Sequence, residues 1–261
     1  MKIKENLSRQ ELLKKIVEKK EFSDLPEFDV KKVLDLFDQP HRTNEEKIKL
    51  SRDLLRKMYS VFVSDKLLIN RDNPPEWFLK KHLSTKERFE DYEKIYTRIF
   101  QRFPTKKIHV IDLGAGINGL SYDFFPKKVD YVGVEAVGQL VNLMNNYFQK
   151  EKILGKAFHE SLFNLTAIKK IIPETREKKI IFLFKVLDSL EMLERDYSKK
   201  ILLELMPLVD EIVVSFATRS LIRREKFKAN RNWLIGFINE NFSILDDFDF
   251  GSERYICFRN R

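Results

Sequence analysis

The chain has 261 residues, 43% hydrophobic and 34% charged, with a net charge of +9, one cysteine and four histidines. Cys257 and the scattered His41, His82, His109 and His159 exclude a disulfide framework and a structural zinc site, and no uncharged run reaches the roughly 18 residues of a membrane span. A soluble, cytoplasmic monomer with no metal and no membrane partner is expected, long enough for one large domain or two of ordinary size.

Charge is unevenly spread. Residues 1–107 hold 26 Lys+Arg against 19 Asp+Glu, whereas residues 108–261 hold 23 against 21. A basic N-terminal part suits a polyanionic partner, because each phosphate neutralised by Lys or Arg releases condensed counterions. A solvated, lysine-rich surface has the same signature, so charge alone leaves both readings open.

In chain order, Leu12, Leu13 and Ile16 share one helical face within 8–20, after Ser8 as N-cap and Glu11 in the capping-box position. Val30, Val33, Leu34 and Phe37 form a second apolar stripe closed by Pro40, and Ile48, Leu50, Leu54, Leu55 and Met58 a third. Asn73-Pro74-Pro75 breaks the pattern, and a helix over 84–103 is predicted with Ser84 as N-cap and Glu87 completing the capping box. Residues 1–103 therefore read as a basic helical domain.

From Lys107 the period changes. Ile108–Leu113 is a compact apolar run ending in glycines, and similar runs at Tyr131–Val134, Lys179–Val186, Glu211–Phe216 and Tyr255–Phe258 predict buried strands, with fainter ones at Lys156–His159 and Ser243–Phe248. Helices are expected over Val137–Lys150, Leu162–Ile172, Leu190–Met206 and Lys226–Asn241. This alternation over 104–261 implies a doubly wound, mostly parallel α/β sheet ending in an antiparallel hairpin around Gly251-Ser252.

The loop Asp112-Leu-Gly114-Ala-Gly116-Ile-Asn-Gly119 follows the first strand, and Glu135 ends the second. Glycines there let the backbone turn sharply beneath a ligand, and a carboxylate at the next strand tip accepts hydrogen bonds from ribose hydroxyls. Gly114, Gly116 and Gly119 also fit the dinucleotide fingerprint. Against a pyrophosphate ligand stand Asp112 and a following helix cut short at Pro126, since pyrophosphate wants a full helix N-terminus.

Three further strings carry a resemblance: His82-Leu-Ser-Thr-Lys-Glu-Arg88, Leu183-Phe-Lys-Val-Leu-Asp-Ser-Leu-Glu191 and Val213-Val-Ser-Phe-Ala-Thr-Arg-Ser-Leu221. Together with the glycine loop, over roughly 80–261, they resemble the aminoglycoside-resistance 16S rRNA methyltransferases that modify N7 of a guanine in the ribosomal decoding site. The resemblance implies a class I (Rossmann-like) fold with a seven-stranded, mostly parallel sheet, S-adenosylmethionine as cofactor, and small-subunit rRNA or the assembled small subunit as partner. The helical domain 1–103 would recognise RNA and 104–261 would bind the cofactor. By position, Arg88 would pair with the cofactor carboxylate, Thr85 would line the same pocket, Asp112 would lie near the methionine end, and Gly114 and Gly116 would pass beneath. Glu135 with Ala136 would hold the ribose, Ser161-Leu162 would flank the adenine, and Lys185 and Leu187 would form the floor.

The chain departs from that family in several places. It has Ile117-Asn118-Gly119-Leu120 for Leu-Asn-Pro-Leu, lacks the adenine-side aspartate near Glu160-Ser161, has Ile222-Arg223-Arg224 after the Ser-Leu pair in place of Gly-Gly-Arg, and places Met192 where the family has glutamine. Guanine N7 already carries an in-plane lone pair, so no general base is needed and no catalytic residue is assigned. For RNA, Phe216 is expected to stack on a base, Trp233 is a second aromatic at core-like helical spacing, and Arg219, Arg223, Arg224, Lys226, Lys228 and Arg231 are expected to grip phosphate. Alternative functions are methyl transfer to a protein or small molecule, a nicotinamide-dependent oxidoreductase, and a non-enzymatic RNA-binding module.

Overall fold

In the computed structural model, which describes residues 7–59, 73–105, 107–218 and 231–261, the N-terminal part is helical. Helix α1 (Arg9–Val17) begins where its capping box says: Ser8 N–H donates to Glu11 at 2.7 Å and Glu11 N–H to the Ser8 hydroxyl at 3.3 Å. Helix α2 (Glu27–Phe37) follows, and α3 (Asn44–Met58) is opened by a second capping box, Thr43 with Glu46. Their apolar faces meet through Leu12, Ile16, Val33, Leu34 and Leu55, all buried.

The helix expected over 84–103 is divided. Helices α4 (Pro75–Lys81) and α5 (Leu83–Arg88) are short, a 3-10 turn spans Phe89–Asp91, and α6 covers Tyr92–Phe100. Ser84 is not the N-cap, because α5 already begins at Leu83, and Glu87 does not close a capping box: its carboxylate is drawn off to the Lys185 ammonium. Helix α6 lays Tyr96 and Phe100 on the sheet, with the Tyr96 and Phe182 rings stacked 6.1 Å apart.

The sheet contains β1 (Ile108–Leu113), β2 (Asp130–Glu135), β3 (Gly155–His159), β4 (Lys178–Phe184), β5 (Glu211–Ala217), β6 (Ser243–Phe250) and β7 (Glu253–Arg259). Its order is β3-β2-β1-β4-β5-β7-β6, with β7 antiparallel to both β5 and β6. This is the expected class I fold, a seven-stranded sheet closed by a hairpin at Gly251. Every residue of β1 is buried, as a central strand covered on both faces requires.

Between strands lie α7 (Gly138–Lys150), α8 (Leu165–Ile171), α9 (Leu187–Leu193), α10 (Tyr197–Leu205) and α11 (Asn232–Asn241). The single helix expected over 190–206 is two helices, broken at Asp196 with φ of 62°. Glu191 compensates the break by accepting hydrogen bonds from the Asp196 and Ser198 N–H groups, both at 2.7 Å. No helix among the described residues is long and apolar enough to cross a membrane. Trp233, at core-like spacing in the sequence, is 40% exposed on α11, with the Lys199 ammonium 5.3 Å from its ring centre.

Candidate active site at the strand tips

The strand order reverses between β1 and β4, where neighbouring connections run to opposite faces and leave a crevice beyond the C-terminal strand ends. A cavity of about 90 Å³, open to solvent, lies there. Of the expected cofactor residues, Thr85, Arg88, Asp112, Gly114, Gly116, Glu135, Ala136, Leu162 and Lys185 all line it, though they come from five separate stretches of chain.

The loop after β1 turns through left-handed backbone at Gly114 (φ 72°) and Gly116 (φ 55°). A Cβ on Gly114 would sit 2.5 Å from the Val186 side chain, so both space and dihedral demand glycine. The turn is stitched to β2: Gly114 and Ala115 N–H donate to the Val134 carbonyl at 2.8 and 3.0 Å. Glu135 at the tip of β2 accepts from Gly116 N–H at 2.8 Å and Val137 N–H at 2.9 Å. Burial raises its pKa above the usual carboxylate value despite these donors. Two oxygens offer about four acceptor directions, which leaves capacity for ligand hydroxyls.

Asp112 braces this loop from inside. One of its oxygens accepts from the Asn118 amide and the Tyr131 hydroxyl, each at 2.7 Å, and burial raises its pKa. The Asn118 side-chain oxygen Oδ1 in turn accepts from the Tyr92 hydroxyl at 2.8 Å and Arg88 Nη1 at 3.2 Å. Gly119 serves packing rather than ligand approach, since a Cβ there would lie 2.7 Å from the Phe148 ring. A 3-10 helix over Asn118–Phe124, not an α-helix, follows.

Arg88 sits in an ionic network that the sequence did not suggest. Its Nε donates to both oxygens of Glu253, on β7, at 3.1 and 3.0 Å, and its guanidinium lies 5.0 Å from the Phe184 ring centre. Glu253 also accepts from the Ser215 hydroxyl and pairs with Lys185 at 3.2 Å, while Lys185 reaches Glu87. Burial works against the Glu253 charge, but Arg88 and Lys185 outweigh it and hold its pKa below the usual range. Lys185 occupies left-handed backbone at φ 57°, which turns the chain out of β4 toward the cavity.

Two expected residues are placed elsewhere. Leu187 is buried as the first residue of α9, and Val186 lines the cavity in its stead. Ser161 is fully buried behind the wall, its hydroxyl donating to Asp29 of α2 at 2.5 Å. The sequence assigned no role to His82, Met58 or Tyr59, yet all three line the cavity. His82 lies under Gly116, with Cε1 3.2 Å from where a Cβ would be, and burial followed by the Arg88 and Lys185 charges lowers its pKa to about 3. The His-Leu-Ser-Thr string held the signal for His82; nothing local marked Met58 or Tyr59.

Among the expected RNA contacts, Arg219, Arg223, Arg224, Lys226 and Lys228 lie outside the described residues. Phe216 is buried beneath Arg231, whose guanidinium is 5.2 Å from the ring centre. Arg231 itself donates to the Ala217 carbonyl at 2.8 Å and pairs with Asp188 at 2.5 Å. This ties the start of α11 to α9 beside the cavity.

A sequence model of the ribosomal RNA methyltransferase (FmrO) family matches residues 76–232. No curated protein sequence matches significantly. Among solved structures, the chain is similar to the 16S rRNA methyltransferase RmtF in complex with S-adenosyl-L-homocysteine, at 18% identity over 98% of this chain and 100% of that one, with a TM-score of 0.81. It is also similar to an rRNA methylase from Escherichia coli (20% identity, 97% and 99% coverage, TM-score 0.78). The 16S rRNA methylase RmtB gives 19% identity, 97% and 98% coverage, and a TM-score of 0.76. At such identities the likeness to these structures is one of fold.

Proposed function

The chain belongs to the FmrO family of ribosomal RNA methyltransferases, and from that premise we propose that it methylates N7 of a guanine in the decoding site of small-subunit (16S) rRNA, with S-adenosylmethionine bound in the strand-tip cavity. Membership decides against the nicotinamide reading of the glycine loop. The observation that carries the cofactor assignment is the cavity itself: an acceptor at a strand tip, a cation at the other end, and a glycine turn between.

The residues present fit that cofactor. Glu135 would accept from ribose hydroxyls, and Ala136, Leu140 and Leu162, which line the cavity, would supply apolar wall for a base. Arg88 turns its Nε edge to Glu253, which orients the guanidinium so that its remaining donors serve a carboxylate. Gly114 and Gly116 allow close backbone approach, and Thr85, held by its hydroxyl to the Leu79 carbonyl at 2.7 Å, closes the adjoining wall. Asp112 acts through Asn118 and the loop.

When bound, the cofactor supplies an electrophilic methyl on a sulfonium. Guanine N7 attacks with a lone pair it already has, so the protein need only align the two and exclude water. His82, its pKa lowered to about 3 by burial, is too weak a base to take a proton at neutral pH. N7 lies in a groove too deep for side chains in A-form RNA, so the base must leave its stack. The Ser215–Leu221 string starts near the end of β5, where Lys185 N–H donates to the Ser215 hydroxyl, and its arginine and the basic residues that follow in sequence would grip the flanking phosphates.

The test is transfer of labelled methyl from the cofactor to small ribosomal subunits, naked 16S rRNA and tRNA, followed by mapping of the modified position. Label at guanine N7 in the decoding site is expected. Label at an atom that must first lose a proton would overturn the N7 assignment, and no label in any RNA would overturn the function.

A further inference from the structure

Asp29 is fully buried on α2, and among the described residues no cation is within hydrogen-bond reach of it. One oxygen accepts from the Ser161 hydroxyl; the other faces the Tyr59 phenol without a well-formed hydrogen bond. Burial raises its pKa to about 6. A carboxylate kept in such a place opposes folding, so its presence calls for a use in the ligand site.

What it touches is the cavity wall beyond Glu135. Ser161 also accepts from Phe163 N–H at 3.1 Å, which sets the turn that presents Leu162 and Phe163 to the cavity, where Tyr59 lies as well. Neighbouring contacts seat the same helices on the same wall. The Asp24 carbonyl accepts from Gly138 N–H at 3.2 Å, and Lys32 lies 5.2 Å from the Phe163 ring centre while pairing with Glu194 at 2.5 Å.

We propose that Asp29 is a positioning residue of the cofactor site: by holding the Ser161–Phe163 turn beside Tyr59, it makes the docked N-terminal helices one wall of the cavity and couples their docking to cofactor affinity. The proposal rests on the cofactor reading above. Coupling of this kind is reciprocal, so whatever engages α2 and α3 acts on cofactor affinity and is acted on by it.

Calorimetry of S-adenosylhomocysteine binding to the full chain tests it, alongside steady-state methylation. Asp29→Ala and Ser161→Ala are each expected to weaken binding about tenfold, the scale of one lost buried hydrogen bond, and the double variant no further. Asp29→Asn, which keeps the acceptor for Ser161, should bind within about twofold of wild type. KM for the cofactor should rise while kcat and KM for RNA stay level. Wild-type affinity in Asp29→Ala, additive losses in the double variant, or an Asp29→Asn defect as large as that of Asp29→Ala would each overturn the proposal. Should Asp29→Ala fail to fold, Ser161→Ala against Asp29→Asn carries the same test. Failure of the wild-type protein to bind S-adenosylhomocysteine would instead overturn the cofactor reading.

Discussion

The two ends of the cavity handle buried charge in opposite ways. At one, Arg88, Glu253, Lys185 and Glu87 neutralise one another, so each charge is held by its partners. At the other, the Asp29 carboxyl faces the Ser161 and Tyr59 hydroxyls, and burial pushes its pKa up to about 6. A closed ion network is rigid, and losing one member strands the others. A carboxylate solvated by hydroxyls is a weaker, pH-sensitive joint. The first arrangement suits fixed recognition of a charged group; the second suits a contact between two parts of the chain that must stay responsive.

The most damaging way to break the contrast is Glu253→Ala. It strands Arg88 and Lys185 in the interior and is expected to destabilise the protein by about 3–5 kcal/mol, measured by urea denaturation. The depressed pKa of Glu253 gives the sign with pH: its contribution is present above the unfolded carboxylate value and fades as pH falls through the lower folded value, so wild type and variant should converge in acid.

Asp29→Asn should do the reverse and stabilise the ligand-free protein. Raising the Asp29 pKa from 3.8 to about 6 means the folded state binds its proton more tightly than the unfolded chain. The penalty is therefore absent below about pH 4, grows between 4 and 6, and levels at about 3 kcal/mol above that. The gap between variant and wild type should follow this course. His159, Glu160, Tyr59 and Tyr197 also face Asp29 electrostatically, but they are common to both proteins, so the difference isolates Asp29.

Gly114→Ala acts between the two ends. With φ at 72° and Val186 in the way, it should destabilise by about 1–3 kcal/mol and weaken S-adenosylhomocysteine binding, read together by thermal shift with and without ligand. Smallest in stability is Asp188→Asn, which loosens Arg231 at a pair whose acid is half-exposed and should change unfolding free energy by less than about 1 kcal/mol. Charge reversal at Arg223 and Arg224 is expected to weaken RNA binding and flatten its salt dependence, read by filter binding across a salt series, with S-adenosylhomocysteine affinity little changed.

Much of the fold was legible because it is local. Periodicity announced the helices before Met58 and the strands, and both faint runs proved to be edge strands, β3 and β6. The capping box at Ser8 formed, whereas the one read at Ser84 and Glu87 did not, because Lys185 outcompetes a backbone N–H for that carboxylate. The glycine loop and Glu135 were legible too, since backbone geometry restricts such turns to few residues.

Local pattern thus suffices for the alternation of elements, the glycine turn with its acid, and the strings that carry the family likeness. Which charges meet depends on the folded chain. Arg88 finds Glu253 across 165 positions, and Ser161 finds Asp29 across 132. Nothing local distinguishes those acids from the others in the chain. Their roles come from burial, which strips away water and leaves each carboxylate to whatever donors the fold brings within reach.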